Sequence, residues 1–521
     1  LSADAITQMT GAEALVGTLA DAGVTACFAN PGTSEMHLVT ALDRETRIQS
    51  VLCLFEGVAT GAADGYARAT GKPAMTLLHL GAGYLNGGAN IHNARRAHTP
   101  MINVIGDHAT YHTRYDAPLT SDITGMAGPN SVWIKSIDTP ARAGALAMEA
   151  FAAAHGPLPG PVSLVLPADS AWLEGGVKAE PVAARPLPAP RAETVEAVAR
   201  KVRAASKPVL IMNGISALSE TGLAAAACLK AAGIRVMTDT FYPIMARGAG
   251  RFAPDRMQYF AEMAMGDLEG SDLMVLAGTQ TPAAFFAYPG RPSQLVPEGC
   301  EVASLCDARG DDGAALAMLA DALSANDTAP VTQLALPDAP TGALDAAKVG
   351  AAIARHLPEG ALVSDDGVSN SLPVYMATAT ARPHRWMMLT GGAIGQGMPL
   401  AIGAALEGTP TLCLSGDGAG MYTNQALWTM ARENLPVVTV VFVNHTYRIL
   451  QIEMHRTGAG NPGPSAQGML TLGNPQIDWA SLARAQGVMG HDARTGEELE
   501  AALATAFADG GPHLIAVHVP G

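Results

Sequence analysis

The stretch TLCLSGDGAGMYTNQALWTMARENLPVVTVVFVN, residues 411–444, constrains this chain more than any other. Residues 411–415 are apolar enough for a buried parallel strand, and 437–443 form a second, β-branched run. Between them lie Gly416, Asp417, Gly418 and Ala419, read as a turn with almost no side-chain bulk, and then a helical spacing of Leu427, Met430 and Ala431. Such a turn lets backbone N–H groups approach an anion at a helix N-terminus, where the dipole favours negative charge. If the strands are parallel neighbours, Asp417 and Asn444 emerge at one C-terminal sheet edge, where open α/β folds bind ligands. A carboxylate and an amide oxygen beside a phosphate-sized turn suit a hard cation such as Mg²⁺, which completes its octahedron with ligand phosphates.

The rest of the chain repeats that grammar. Thr10 and Glu13 open a helix as a capping box, and Gly23 closes it. Strands at 24–29, 49–55, 74–80 and 101–105 alternate with helices, one of them the Gly/Ala-rich EGVATGAADGYARATG that begins at Glu56. Prolines 181, 186, 188 and 190, and again 330, 337 and 340, mark two linkers. The expected organisation is three α/β domains with doubly wound parallel sheets, at 1–180, 191–328 and 344–521. Only 15% of residues are charged against 48% hydrophobic, which fits many strands buried on both faces. The net charge of −15 without any Lys/Arg run argues against nucleic-acid and anionic-membrane partners. Six cysteines without a CxxC pair read as thiols of a reducing compartment. No segment approaches a membrane span and the start lacks a signal peptide's plan, so a cytoplasmic location is expected.

GDG followed at this distance by Asn444, in this strand–helix–strand context, resembles the diphosphate and magnesium motif of thiamine-diphosphate enzymes. The match is to the acetolactate synthase and benzoylformate decarboxylase branch. The resemblance implies pyrimidine-binding, middle and diphosphate-binding domains, with Gly416, Asp417, Gly418 and Ala419 on the cofactor. It implies Mg²⁺ held by Asp417, Asn444 and the carbonyl of Thr446. CLFEGVATGAADGYAR resembles the family's catalytic-glutamate helix, with Glu56 as the match. That carboxylate would hydrogen-bond the cofactor's aminopyrimidine and steer its proton traffic, and an apolar setting suits it to share a proton.

NPGTSE, 30–35, is similar to the NPGSNE loop of benzoylformate decarboxylases, which implies that Thr33 faces the substrate. LLHLGAGYLNGGANIHNAR, 77–95, resembles that enzyme's active-site histidine segment, with His79 as the histidine and Asn86 lining the cofactor. His92, His98, His108 and His112 carry no motif and read as structural. GGAIGQGMP, 391–399, resembles the loop whose large apolar residue, here Ile394 beside Gly392, props the cofactor into its bent shape. Ser369 aligns loosely with a diphosphate contact. The Gly/Pro-rich connection after Asn444 reads as a loop that closes over the substrate, with Leu450, Glu453 and Met454 as lining. Gly81-x-Gly83-x-x-x-Gly87 mimics a dinucleotide fingerprint, but no acidic residue follows at the needed spacing.

Two departures stand out. The middle domain has GTQTPAAFFAYPG, 278–290, where flavin-binding acetolactate synthases carry an Arg-Asp-Asp-Arg-type stretch, so FAD is not expected. Phe285 or Phe286 occupies the zone of benzoylformate decarboxylase's second histidine, which leaves the proton donor for product release open, with Phe286 a substrate-lining candidate. The expected activity is decarboxylation of a 2-oxo acid, with release of an aldehyde or carboligation to an aldehyde or second oxo acid. The alternatives are a C–C lyase without decarboxylation and a non-catalytic paralogue. The resemblance also implies a homodimer or homotetramer with sites at the dimer interface.

Overall fold

The computed structural model describes residues 9–182 and 186–521. The first eight residues, read above as the start of the first domain, and residues 183–185 of the first linker lie outside the described residues. Among the described residues the strands form three sheets of six, five and seven strands, which is the three-domain α/β architecture expected.

The first sheet contains β1 (Ala26–Asn30), β2 (Gln49–Leu52), β3 (Ala74–Leu78), β4 (Met101–Asp107), β5 (Trp133–Ser136) and β6 (Pro161–Pro167). Their spatial order is β2-β1-β3-β4-β6-β5, parallel throughout. The chain leaves β1 to one side and β3 to the other, so a switch point lies between them, where α/β sheets open a crevice at their C-terminal ends. The β3 and β6 strands are buried along their whole length, which is why they read as unbroken apolar runs. The capping box of Thr10 and Glu13 is formed, and the Glu56–Thr70 helix ends on Gly71 at φ 74°, both as the sequence indicates.

The helix after β3 runs Leu80–Arg96 and takes in Gly81, Gly83 and Gly87 of the fingerprint-like run. Those glycines are there for proximity. A Cβ on Gly83 would stand 2.9 Å from Oε1 of Glu56, so helix and carboxylate can approach only without one.

The middle portion contains β7 (Pro208–Met212), β8 (Arg235–Thr238), β9 (Met245–Arg247), β10 (Asp255–Arg256), β11 (Leu273–Ala277) and β12 (Glu301–Cys306). The second sheet runs β10-β8-β7-β11-β12, all parallel, with its switch point between β7 and β11. The three-residue β9 leaves it and pairs antiparallel with the third sheet. There Arg247 is buried, its guanidinium 3.4 Å above the Tyr375 ring and its Nη2 donating to the Tyr375 carbonyl at 2.9 Å.

The third sheet contains β13 (Leu362–Asp366), β14 (His384–Met387), β15 (Thr411–Gly416), β16 (Val437–Val443), β17 (Met489–Ala493) and β18 (His513–His518). Its order is β17-β18-β16-β15-β13-β14-β9, parallel except for β9, with the switch point between β13 and β15. Two local readings need correction. Asp417–Gly420 is one turn of helix rather than an open turn, with Gly416 as its N-cap. The connection after Asn444 is not a plain loop, since it carries helices at Arg448–Arg456 and Pro464–Met469; the glycines at 458–463 masked the helix-forming RILQIEMHR before them.

The chain divides into two compact units. One comprises Leu1–Pro186, Gly391–Glu407 and Thr423–Leu435, and the other Leu187–Thr390, Gly408–Tyr422 and Pro436–Gly521. The core of the first sheet and its helices is built from residues such as Leu15, Leu19, Leu77 and Phe151. Cys27, Cys53 and Cys413 are buried, Cys228, Cys300 and Cys306 half-buried, and all six are free thiols.

Candidate active site

In the first unit, the switch point between β1 and β3 gathers the residues that the sequence singled out. Glu56 is the first residue of the Glu56–Thr70 helix and is 4% exposed. Its Oε2 accepts a hydrogen bond from Nδ2 of Asn86 at 3.0 Å. That helix can be lined with Gly and Ala because a second helix, Gly397–Ala405, lies directly on it. A Cβ on Gly65 would fall 2.0 Å from the Leu400 carbonyl oxygen, and one on Gly403 1.9 Å from that of Ala62. Contact this close fixes Glu56 on a rigid element, as a site residue requires.

His79 caps the Leu80–Arg96 helix, and its Nδ1 lies 2.8 Å from Oε2 of Glu35. Glu35 is buried, and it also accepts from the Gly32 backbone N–H at 2.7 Å and from the Ser34 hydroxyl at 2.6 Å. A proton on Nδ1 held by this carboxylate leaves Nε2 as the basic nitrogen. The next residue, Leu80, sits at φ 50° while buried, a conformation that costs an apolar side chain of order 1–3 kcal/mol and persists only where surroundings enforce it. Thr33 opens the short 3-10 turn that carries Glu35 and is exposed. Glu35 ends the NPGTSE segment, but its place under His79 depends on a contact across 44 positions that the linear sequence does not show.

The 391–396 loop belongs to the same unit. The side-chain amide of Asn93 grips it on both sides, Nδ2 donating to the Ala393 carbonyl at 2.8 Å and Oδ1 accepting from the Ala393 N–H at 3.2 Å. Gln396 donates to Asp64 Oδ2 at 2.8 Å, inside a buried Asp64–Arg68 ion pair, and Thr423 donates to the Gly395 carbonyl at 2.8 Å. Gly392 and Gly395 take positive φ, which leaves half-buried Ile394 on a short, clamped arch. Asn93 and Gln396 are positioning residues that the sequence reading missed.

In the second unit, Asp417 is 4% exposed at the end of β15. Its Oδ2 accepts from the backbone N–H of His445 at 2.7 Å and of Asn444 at 3.2 Å, and its Oδ1 from Gly418 at 2.9 Å. Burial pushes the Asp417 carboxyl above the ordinary range, and these N–H groups pull it partly back. Asn444 Oδ1 accepts from the Thr446 N–H at 3.1 Å, across a turn in which His445 holds φ 56°. Gly418 is packed against Tyr447, whose ring would lie 2.4 Å from an added Cβ.

Ser369 is half-buried at the C-terminal end of β13, across the switch point from Asp417's strand. Gln451 on the Arg448–Arg456 helix donates to the Thr446 hydroxyl at 2.8 Å, which ties the helix bearing Leu450, Glu453 and Met454 to this turn. Leu450 is exposed, Glu453 and Met454 half-buried, and Phe286 stacks edge-on with Phe285 at 4.9 Å.

The oxygen atoms at Asp417, Asn444 and Thr446 make an all-oxygen donor set of the kind hard cations take. Among the described residues no group of three or more His, Cys, Asp or Glu side chains could hold a metal alone.

Family profiles match at both ends of the chain: the thiamine pyrophosphate enzyme N-terminal TPP binding domain over residues 9–127, and the C-terminal TPP binding domain over residues 370–517. The chain belongs to the thiamine pyrophosphate enzyme family. Among relatives of this family, a Mycobacterium tuberculosis protein provisionally named acetolactate synthase large subunit IlvX is 48% identical, over 98% of this chain and 99% of its own. Benzoylformate decarboxylase of Pseudomonas aeruginosa is 29% identical, covering 95% of this chain and 96% of that protein. A thiamine diphosphate-dependent 4-hydroxybenzoylformate decarboxylase from Rhodococcus jostii RHA1 shares the fold, with a TM-score of 0.86, 22% identity and coverage of 98% and 99%.

The TPP-binding profiles take in Glu56, His79 and Asn86 at one end and Ile394, Asp417, Asn444 and Thr446 at the other. The residues present fit the cofactor. An acidic side chain is buried beside an amide, and a helical turn free of side-chain bulk begins at an aspartate.

Proposed function

We propose that this protein is a thiamine-diphosphate- and Mg²⁺-dependent enzyme that decarboxylates a 2-oxo acid and releases an aldehyde or joins the product to a second carbonyl compound. The observation that carries the reading is the oxygen nest of Asp417, Asn444 and Thr446 beside a bare helical turn, on a chain that also buries Glu56 against Asn86. In this reading Asp417, Asn444 and the Thr446 carbonyl hold Mg²⁺, and the N–H groups of the Asp417–Gly420 turn face the diphosphate. Ile394 supports the cofactor's bend from the arch that Asn93 clamps.

When bound, thiamine diphosphate supplies the electron sink that carbon–carbon cleavage next to a carbonyl needs. Glu56, buried and kept on a rigid helix, holds a proton at the aminopyrimidine edge. His79 presents Nε2 to substrate with Glu35 fixing its tautomer, and Thr33 offers a hydroxyl from the adjoining loop. The P. aeruginosa relative's name supports an aryl-substituted 2-oxo acid, whereas the M. tuberculosis relative's supports a smaller one.

Two measurements test the proposal. Calorimetry should detect thiamine diphosphate binding that requires a divalent cation. A panel of 2-oxo acids, with and without an aldehyde acceptor, should release CO₂ from at least one member. Tight cofactor binding with no CO₂ from any member would move the reading to a lyase without decarboxylation or to a non-catalytic paralogue.

A further inference from the structure

The second sheet has two edges, and they are not alike. At one edge β10 is only two residues long, which is one of the ways proteins blunt an edge against further pairing. At the other, β12 runs for six residues and, among the described residues, pairs with β11 alone. Glu301 donates its N–H to the Asp272 carbonyl on the β11 side at 3.0 Å. Bonds to a given neighbour recur at every second residue of a ladder, so Glu301 and Ala303 face β11. Val302 and Ser304 therefore turn their N–H and C=O groups away from it, and both residues are exposed.

The usual guards of such an edge are missing here. β12 contains no proline, and its register irregularity falls only after Ser304. Its single charge, Glu301, is matched by Lys201 of its own chain at 2.6 Å. A groove of about 380 Å³ lies between the strand and the Ala192–Ala204 helix, lined by Val302, Ala303 and Ser304 on one side and by Glu193 and Lys201 among the helix residues on the other.

The charges beside the groove select what pairs there. The helix carries Glu193 and Glu196 at its start and Arg200 and Lys201 towards its end, all exposed. A second copy brought in by a two-fold axis lays its own helix antiparallel to this one, so each acidic end meets the other's basic end. An axis through Ala303 sets Val302 of each copy opposite Ser304 of the other, and each such pair exchanges both N–H···O bonds of an antiparallel ladder. Small side chains then meet at the centre, and the two Glu301 carboxylates stay apart. An unrelated strand could make the backbone bonds but would not bring both halves of the charge match.

We propose that β12 and the Ala192–Ala204 helix form an isologous interface through which two copies of this chain join their five-stranded sheets into one continuous sheet. The contact closes on itself and uses up the bare edge of both copies. It is separate from any interface that shares active sites, and the two together make a tetramer.

Sedimentation velocity on the full-length protein tests this. Val302→Pro removes only the outward N–H, and proline is tolerated at such a position of an edge strand. It should halve the mass of the assembly while the melting temperature stays within about 2 °C of wild type. Glu193→Lys and Lys201→Glu each put like charges across the axis and should each weaken association on the order of tenfold. Mixing these two variants restores opposite charges at both ends, so the mixture should regain the wild-type mass.

Wild-type mass for folded Val302→Pro overturns the proposal, as does a monomeric wild-type protein. So do charge variants that assemble normally, or a mixture of them that fails to recover. If Val302→Pro does not fold, the two charge variants and their mixture decide the matter alone.

Discussion

Glu56 and Asp417 are both 4% exposed carboxylates, but their surroundings differ. Glu56 accepts a hydrogen bond from the Asn86 amide while buried, a setting for a group that shares a proton. Glu56→Gln keeps the shape and the contact to Asn86 while removing the ionisable proton. It should lower kcat for CO₂ release by about 10³-fold, the scale of general acid–base loss, and leave the melting temperature within about 2 °C.

Asp417 accepts three backbone N–H bonds and is still pushed above the ordinary carboxyl range by burial. The folded state therefore favours its protonated form. That stability is fully present below the unfolded-state pKa and is lost as pH rises through the raised folded value, unless a cation takes the charge. Asp417→Asn removes the buried charge but turns one acceptor oxygen into a donor facing backbone N–H groups, so the cofactor-free protein should lose about 1–3 kcal/mol near pH 7. The substitution should also abolish the rise in melting temperature that thiamine diphosphate with Mg²⁺ produces. Differential scanning fluorimetry with and without ligands reads both effects, and a retained ligand-induced rise would remove Asp417 from the metal set.

At the scale of elements, what the sequence made legible was whatever had local period or local punctuation. The Glu56 helix showed its capping position, its Gly/Ala face and its closing Gly71 within sixteen consecutive residues. The 411–444 segment showed its two buried strands by apolar runs alone. What stayed hidden depended on partners distant in sequence. Asn93 holds Ala393 and Gln396 holds Asp64 across about three hundred positions, and in the linear chain each looks like an ordinary polar helix or loop residue. The β9 strand was invisible for another reason: three residues carry no period, and its place is set by a buried arginine over Tyr375.

Asp312 belongs to the same class. Its partners lie at the switch point of the second sheet, where Oδ1 accepts from the Ala217 N–H at 3.0 Å. The Gly214 and Gly278 backbones press so closely on Oδ2 that an added Cβ would fall 1.1 and 2.0 Å from it. Burial raises this carboxyl to about 6. Being raised, it gives stability that is complete below the unfolded value and disappears as pH climbs through about 6. That makes a loss of about 2 kcal/mol between pH 4 and pH 6.5 for the wild type. Asp312→Asn should flatten that slope in urea unfolding curves, and an unchanged slope would mean that the carboxyl is paired in solution.

At the scale of the whole molecule, the number of chains that make one site can be tested. Glu56 falls in one compact unit and Asp417 in the other. Large apolar side chains stay exposed next to the functional residues of each: Leu54 and Leu85 near Glu56 and Asn86 in sequence, Met421 and Tyr422 just after the Asp417–Gly420 turn. Such residues beside a site suit coverage by a second copy of the chain. If each site takes Glu56 from one chain and Asp417 from its partner across a two-fold axis, two inactive variants can rescue each other. A mixed dimer of Glu56→Gln and Asp417→Asn chains has one site with both carboxylates intact and one with neither. Random mixing makes half the dimers mixed, so co-expression should recover about a quarter of wild-type activity, while each variant alone stays near background. Sites complete within one chain would give no recovery, because neither chain then contains an intact pair. Sedimentation of the wild-type protein should show a dimer or tetramer at assay concentration, and recovery in a strictly monomeric preparation would contradict the shared-site arrangement.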